Sequence, residues 1–166
     1  MLLDVGAASG DVATHLKQVL ARRGLQVEVT LADRCWTHFS NGSDGQSRRV
    51  VADAMALPFA SLSFDVVSCG LLLHHFEPQQ VRNFLSEAMR VSRVAVLISD
   101  LRRNALSLAL TKRAVPFYRS RLTRHDAPAS VRQAYTMEEM KAMLPPGARA
   151  EVRPYYFFRM GVILWK

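Results

Sequence analysis

The sequence predicts an α/β domain built on a mainly parallel β-sheet. Short apolar runs rich in Val, Leu and Ile alternate along the chain with amphipathic stretches of helical period. The chain has 166 residues, 49% of them hydrophobic, enough for one domain with a proper core but not comfortably for two. It carries no internal repeat and no low-complexity segment.

Each element follows from local chemistry. Leu2–Val5 reads as a first strand, and Gly10–Arg23 as a helix with Ala13, Leu16, Val19 and Leu20 on one face, stopped by Gly24. Val27–Ala32 is β-branched and forms a second strand. Asn41–Ser47 is a polar loop, and Arg49–Ala52 a short third strand. Phe64–Cys69 is apolar almost throughout, the mark of a strand buried on both faces. Pro78–Arg90 is the clearest helix: Pro78 suits its first turn, and Val81, Phe84, Leu85, Ala88 and Met89 follow helical spacing. Val94–Ser99 is a fifth strand. A helix from Asn104 runs to about Val115, where Pro116 discourages continuation. Thr136 and Glu139 make a capping box for Met137–Leu144, which Pro145-Pro146-Gly147 ends. Ala150–Phe158 and Met160–Trp165 are two last strands, an antiparallel return at one edge of the sheet.

Composition narrows the function classes. No run of 18 apolar residues occurs, so no membrane-spanning helix is expected, and Asp4, Gly6 and Ser9 interrupt anything like a signal peptide. Cys35 and Cys69 show no metal-ligand spacing; no metal is expected, and two cysteines fit a reducing, cytoplasmic setting. The net charge of +8 is uneven: residues 1–100 hold 9 Lys/Arg and 10 Asp/Glu, residues 101–166 hold 13 and 4. Between Leu101 and His125 stand Arg102, Arg103, Lys112, Arg113, Arg119, Arg121 and Arg124 with no acid among them. A solvated helix face is the simplest account; a nucleic-acid or membrane-surface role is the sharper one.

The segment "LLDVGAASGD" carries the chemistry. A strand feeds a turn of small residues and then a helix, so a ligand can lie against the backbone near a positive helix N-terminus. A dinucleotide site needs G-x-G-x-x-G. Here Gly6 and Gly10 are separated by three residues, and Asp4 stands two before the first. The pattern resembles D-x-G-x-G-x-G, the first motif of class I S-adenosylmethionine-dependent methyltransferases, with Ala8 at its middle glycine. Further matches follow in order: Asp33 at the second strand end, "ADAMALPF" (Ala52–Phe59), "FDVVSCGLLLHHF" (Phe64–Phe76) and "VAVLISDLRRN". The resemblance runs from Leu2 to about Trp165 and is nearest to small-molecule enzymes of the ubiquinone/menaquinone-biosynthesis type. The segment His125–Met140 is similar to one in bacterial members of unassigned substrate.

The resemblance implies a seven-stranded, mostly parallel Rossmann-like sheet with helices on both faces, and S-adenosylmethionine as donor with S-adenosylhomocysteine as product. It implies that Asp4, Gly6, Ala8 and Gly10 form the cofactor turn. Asp33 would accept from the ribose hydroxyls and Asp53 from the adenine amino group. Ala54 or Met55 would cover the ring, and Cys69, Gly70 and Leu71 would lie along the methionine part. The expected reaction is methyl transfer to a phenol, quinol or polyketide-like oxygen or carbon of a small-molecule acceptor. His74 or His75, past the fourth strand's carboxyl end, is the candidate base. His125–Asp126 is a weaker base pair, and Tyr118, Tyr135, Tyr155 and Tyr156 are candidates to line an aromatic acceptor. Family members usually carry helices before the first strand, so the single domain, residues 1–166, is expected to have an open cofactor cleft and weak turnover. Two rival readings stand beside this one: a catalytically weak cofactor-binding protein with a basic face, and an RNA methyltransferase, less favoured because no N-P-P-Y-like motif follows the fourth strand. The oligomeric state is left open.

Overall fold

The computed structural model describes residues 1–41, 47–118, 120–155 and 158–166. Seven strands form one sheet in the order β3-β2-β1-β4-β5-β7-β6. They are β1 (Leu2–Val5), β2 (Val29–Asp33), β3 (Arg48–Val51), β4 (Phe64–Gly70), β5 (Ser92–Leu101), β6 (Arg149–Tyr155) and β7 (Arg159–Trp165). The first five pair in parallel, and β7 runs antiparallel between β5 and β6. The expected seven-stranded, mostly parallel sheet with an antiparallel C-terminal return is therefore present. Helices α1 (Asp11–Ala21), α2 (Pro78–Val91), α3 (Ala105–Ala114), α4 (Arg121–Gln133) and α5 (Met137–Met143) complete the fold.

Burial on both sides explains the strand sequences. All four residues of β1 and all five of β2 are buried, so neither alternates apolar with polar. On one side, Leu3, Val5, Val67, Val96, Ile98 and Leu164 pack against Val81, Phe84, Leu85, Ala88 and Val91 of α2 and Met140 and Met143 of α5. The opposite side is held by Leu2, Val29 and Leu31 against Ala13 of α1 and Phe39. Leu97 and Tyr155, on β5 and β6, remain exposed.

The caps follow the expected chemistry. Thr136 Oγ1 accepts from the Glu139 N–H at 3.2 Å and Glu139 Oε2 from the Thr136 N–H at 2.8 Å. Asn104 Oδ1 accepts from the Leu106 N–H at 2.9 Å and starts α3.

Several boundaries differ from expectation. β5 extends to Leu101 because β7 pairs along it as far as Leu101–Arg159. The N-terminal helix starts at Asp11 because Gly10 takes a left-handed conformation as its cap. β6 ends at Tyr155, not Phe158; residues 156–157, with Tyr156, lie outside the described residues, as do 42–46 of the polar loop and Arg119. Helix α4 was not expected, since Pro128 stands inside it. An interior proline removes a helix hydrogen bond. Here burial of Pro128, Val131 and Ala134 offsets that loss.

Candidate active site

The turn after β1 is built by backbone geometry. Gly6, Ala8 and Gly10 all have positive φ, 70°, 47° and 82°. A Cβ at Gly10 would come within 2.6 Å of the Leu31 side chain, so the helix α1 can approach β2 only over a glycine. Ala8 holds the same left-handed conformation with a Cβ in place, a strain of roughly 1–2 kcal/mol.

The turn was expected to let a ligand lie against its backbone N–H groups, and four of these are taken up within the chain. The Gly6 and Ala7 N–H groups donate to the Ala32 carbonyl at 2.8 and 3.2 Å, and the Gly10 N–H to Ala7 at 2.8 Å. The Ala8 N–H donates to Asp33 Oδ2 at 2.9 Å. A turn this sharp satisfies most of its own donors, and the first-turn N–H groups of α1 are the ones a helix leaves without an intrahelical partner.

Asp33 is the hub of this end of the sheet. Besides Ala8, it accepts from the Cys35 N–H at 2.9 Å, and His38 Nδ1 lies 3.0 Å from the same Oδ1. A carboxylate has about four acceptor sites, so capacity for one more hydroxyl remains. His38 was missed by sequence reasoning because the 3₁₀ turn Trp36–Asn41 that carries it has no apolar periodicity.

The structure gathers the expected residues in three neighbouring clefts. The first, about 170 Å³, is lined by Gly6, Asp33, Asp53, Ala54 and Met55 together with Leu72 and Phe76. Asp53 is shaped for it by the Met55 N–H, which donates to Asp53 Oδ1 at 2.9 Å. Asp4 lies in a second cleft with Ser68, Cys69 and Gly70. A Cβ at Gly70 would meet nothing within 4 Å, so this strand end is open backbone that a ligand can cover. Ser68 Oγ donates to Asp4 Oδ1 at 2.6 Å. Burial pushes the Asp4 carboxyl up to about 6, with the Ser68 hydrogen bond opposing. Cys69 borders this cleft, but its thiol belongs to the core, and burial raises its pKa well above the ordinary value. Ala8 and Gly10 line none of these clefts and act through the turn's conformation.

The third cleft, about 580 Å³, holds Leu71, His74 and His75 beside Leu110, Tyr118, Asp126 and Val131. His74 is 6% exposed, and its Nδ1 lies 2.7 Å from Asp100 Oδ1. Asp100 is itself 1% exposed and accepts from the Leu73 N–H at 2.7 Å and the Leu101 N–H at 2.6 Å. As a carboxylate only accepts, His74 Nδ1 donates, which fixes Nε2 as the acceptor nitrogen of the neutral ring. The His75 ring stacks on His74 at 4.1 Å, and desolvation, then the neighbouring imidazole, lower its pKa. Asp100 was not singled out from sequence, although an acid closing the apolar run "VAVLIS" is a visible signal. Tyr135 donates to the Phe76 carbonyl and is structural. Tyr155 lies in the second cleft, away from the histidines. His125 and Asp126 do meet, at 3.2 Å, but on the surface with the imidazole 87% exposed. Among the described residues no cluster suited to a metal ion occurs.

A parallel sheet ordered 3-2-1-4-5 with an antiparallel 7-6 return, and clefts at its carboxyl ends, defines a ligand-binding enzyme fold. The model of the methyltransferase domain family matches residues 3–98. The chain belongs to the methyltransferase domain family, and it is a methyltransferase. Among curated proteins none matches it by sequence. Solved structures agree on the fold. A SAM-dependent methyltransferase from Aquifex aeolicus is 18% identical, with 99% of this chain and 80% of that one covered at a TM-score of 0.70. The plantazolicin methyltransferase BpumL, solved with a pentazolic desmethylPZN analogue and SAH, is 14% identical over 99% and 76%, TM-score 0.72. The magnesium protoporphyrin IX methyltransferase of Synechocystis, solved with SAH, is 14% identical over 100% and 73%, TM-score 0.64.

Proposed function

We propose that this enzyme methylates a small molecule bearing an acidic hydroxyl or activated carbon, of the phenol, quinol or polyketide-like class, in the cleft beside His74. The donor is S-adenosylmethionine, which supplies a methyl group already activated on a sulfonium. The observation that carries the reading is adjacency: Leu72 lines the cleft holding Asp33, Asp53 and Met55, and its chain neighbour Leu71 lines the cleft holding His74 and His75.

The residues present suit the donor. Asp33 has capacity for a ribose hydroxyl, and Asp53 for the adenine amino group. Met55 and Ala54 supply an apolar face for the ring. Asp4, once ionised, pairs with the α-amino group over the open backbone of Gly70. The protein's own work is to align two reactants and exclude water. His74 is the base: Asp100 fixes its tautomer and orientation, so Nε2 takes the acceptor's proton as the new bond to the methyl forms. His75, with its pKa lowered, stays neutral at pH 7 and packs against the acceptor. The thiol of Cys35, free and partly exposed, suits the reducing cytoplasm in which we place the reaction.

The test is calorimetry with S-adenosylhomocysteine, followed by radiolabel transfer from S-adenosylmethionine to a panel of phenols and quinols. Binding with transfer supports the reading. Failure to bind S-adenosylhomocysteine overturns it, and transfer to RNA but to no small acceptor assigns the site to the nucleic-acid reading.

A further inference from the structure

Helix α3 and the turn after it present an unusual surface. Of the α3 side chains only Ser107 is buried. Leu106 is 58% exposed, Leu110 50% and, on the turn Val115–Phe117, Phe117 86%. Leu106 and Leu110 are four residues apart and share a helix face. Single exposed hydrophobics are ordinary, but here three fall within one short segment, two of them on one helix face. Lys112 and Arg113 occupy the last turn of the same helix, and Arg124 follows on α4. Among the described residues none of the three has an ion-pair partner.

The combination selects a partner. A nucleic acid rewards the cations through its phosphates and could stack a base on Phe117, but exposed Leu106 and Leu110 offer its bases nothing. An anionic bilayer rewards both, since apolar side chains enter the acyl boundary while Lys and Arg meet the headgroups. We propose that the face made by α3 and the turn Val115–Phe117 docks this enzyme on an anionic lipid surface. No described helix is long and apolar enough to cross a membrane, so the association is peripheral and reversible. The surface stands on exposure and charge alone. Its consequence for substrate rests on the acceptor reading above: Leu110 and Tyr118 also line the histidine cleft, so docking sets the cleft mouth against lipid. The acceptor class it fits is amphiphilic, with a reactive ring in the cleft and an apolar tail left in the membrane.

Co-sedimentation with lipid vesicles tests the proposal. The full chain should pellet with phosphatidylcholine vesicles containing about 30% phosphatidylglycerol and not with pure phosphatidylcholine. A Leu106→Ser, Phe117→Ser double variant should lower the partition by about tenfold or more. Lys112→Gln with Arg113→Gln should do the same, as should raised salt. None of these four residues lines a cleft, so S-adenosylhomocysteine affinity should be unchanged in both variants, which also reports that they fold. Absence of pelleting with anionic vesicles overturns the proposal whatever the acceptor is. So does a Leu106→Ser, Phe117→Ser variant that pellets like the parent, and if short RNA also displaces it, the face belongs to nucleic acid. Vesicle binding without methylation of any amphiphilic acceptor leaves the surface standing and overturns only its consequence for substrate.

Discussion

Asp4 ends up buried beside Ser68, with its carboxyl pushed from 3.8 to about 6. A carboxyl raised on folding stabilises the native state only while protonated. That contribution is complete below pH 3.8 and is lost as the pH rises through 6, so at pH 8 the ionised group costs the fold about 3 kcal/mol. Asp4→Asn should therefore be more stable than the parent at pH 8, by up to about 3 kcal/mol in urea unfolding, with the gap closing by pH 4. The same variant should bind S-adenosylhomocysteine more weakly at pH 8, which reveals the ion pair with the ligand's ammonium; unchanged affinity would remove Asp4 from the site.

Asp33 and His74 carry the other residue-level predictions. Losing a hydrogen bond to a charged acceptor costs roughly 1.5–3 kcal/mol, about tenfold in affinity or more. Asp33→Ala should lose at least that in calorimetry, and should also lose thermal stability, because Ala8, Cys35 and His38 depend on the same carboxylate. His74→Asn should reduce kcat by about 10²–10⁴ and flatten the acid side of the pH–rate profile, with S-adenosylhomocysteine affinity intact. Asp100→Asn should act in the same direction through the imidazole's orientation. A rate unchanged in His74→Asn would transfer the base role away from it.

Among elements, α2 anchors the sheet. Val81, Phe84, Leu85, Ala88 and Val91 are all 0% exposed. Phe84→Ala should cost about 3–5 kcal/mol in chemical unfolding, because a ring removed here leaves a cavity between α2 and the sheet. Val81, Phe84, Leu85 and Ala88 were legible from spacing alone, as were Pro78 in the first turn and the Thr136–Glu139 box; Met89, expected on the same face, is only partly buried, and Val91, past the expected end, takes the last core position. Helix α4 was not, because a proline inside a helix argues against it locally while its burial argues for it only once α3 and the histidine turn are in place.

For the whole molecule, ligand binding and stability are linked. A ligand that binds only the native state stabilises it by about 2.7 kcal/mol at a concentration one hundred times Kd. For a chain of 166 residues each kcal/mol moves Tm by roughly 2–4 °C. Saturating S-adenosylhomocysteine should therefore raise Tm by about 5–11 °C in a scanning measurement, and adenosine diphosphate should raise it less, because Gly6 and Gly10 lack the G-x-G-x-x-G spacing of a pyrophosphate-binding turn. A larger shift with adenosine diphosphate than with S-adenosylhomocysteine would contradict the donor. The charge split is near neutral to residue 100 and +9 beyond it, and helices α3 and α4 carry Lys112, Arg113, Arg121, Arg124 and Arg132 of that excess against the single acid Asp126.

By itself the sequence determined the strand order of events: five apolar runs, the glycines at 6 and 10, and acids at 4, 33 and 53 each at a strand end. Those are local facts, set by periodicity and by the few residues a sharp turn tolerates. Tertiary structure decided which of them share a cleft. Asp4 and Asp33 are both near a strand end and the register puts them on the same face of the sheet, yet they line different clefts. Asp100 and His74 are 26 residues apart and meet only because β5 lies beside β4. The exposure of Leu106, Leu110 and Phe117 is likewise a tertiary outcome, since whether an apolar face is buried depends on what the rest of the chain has left to cover it.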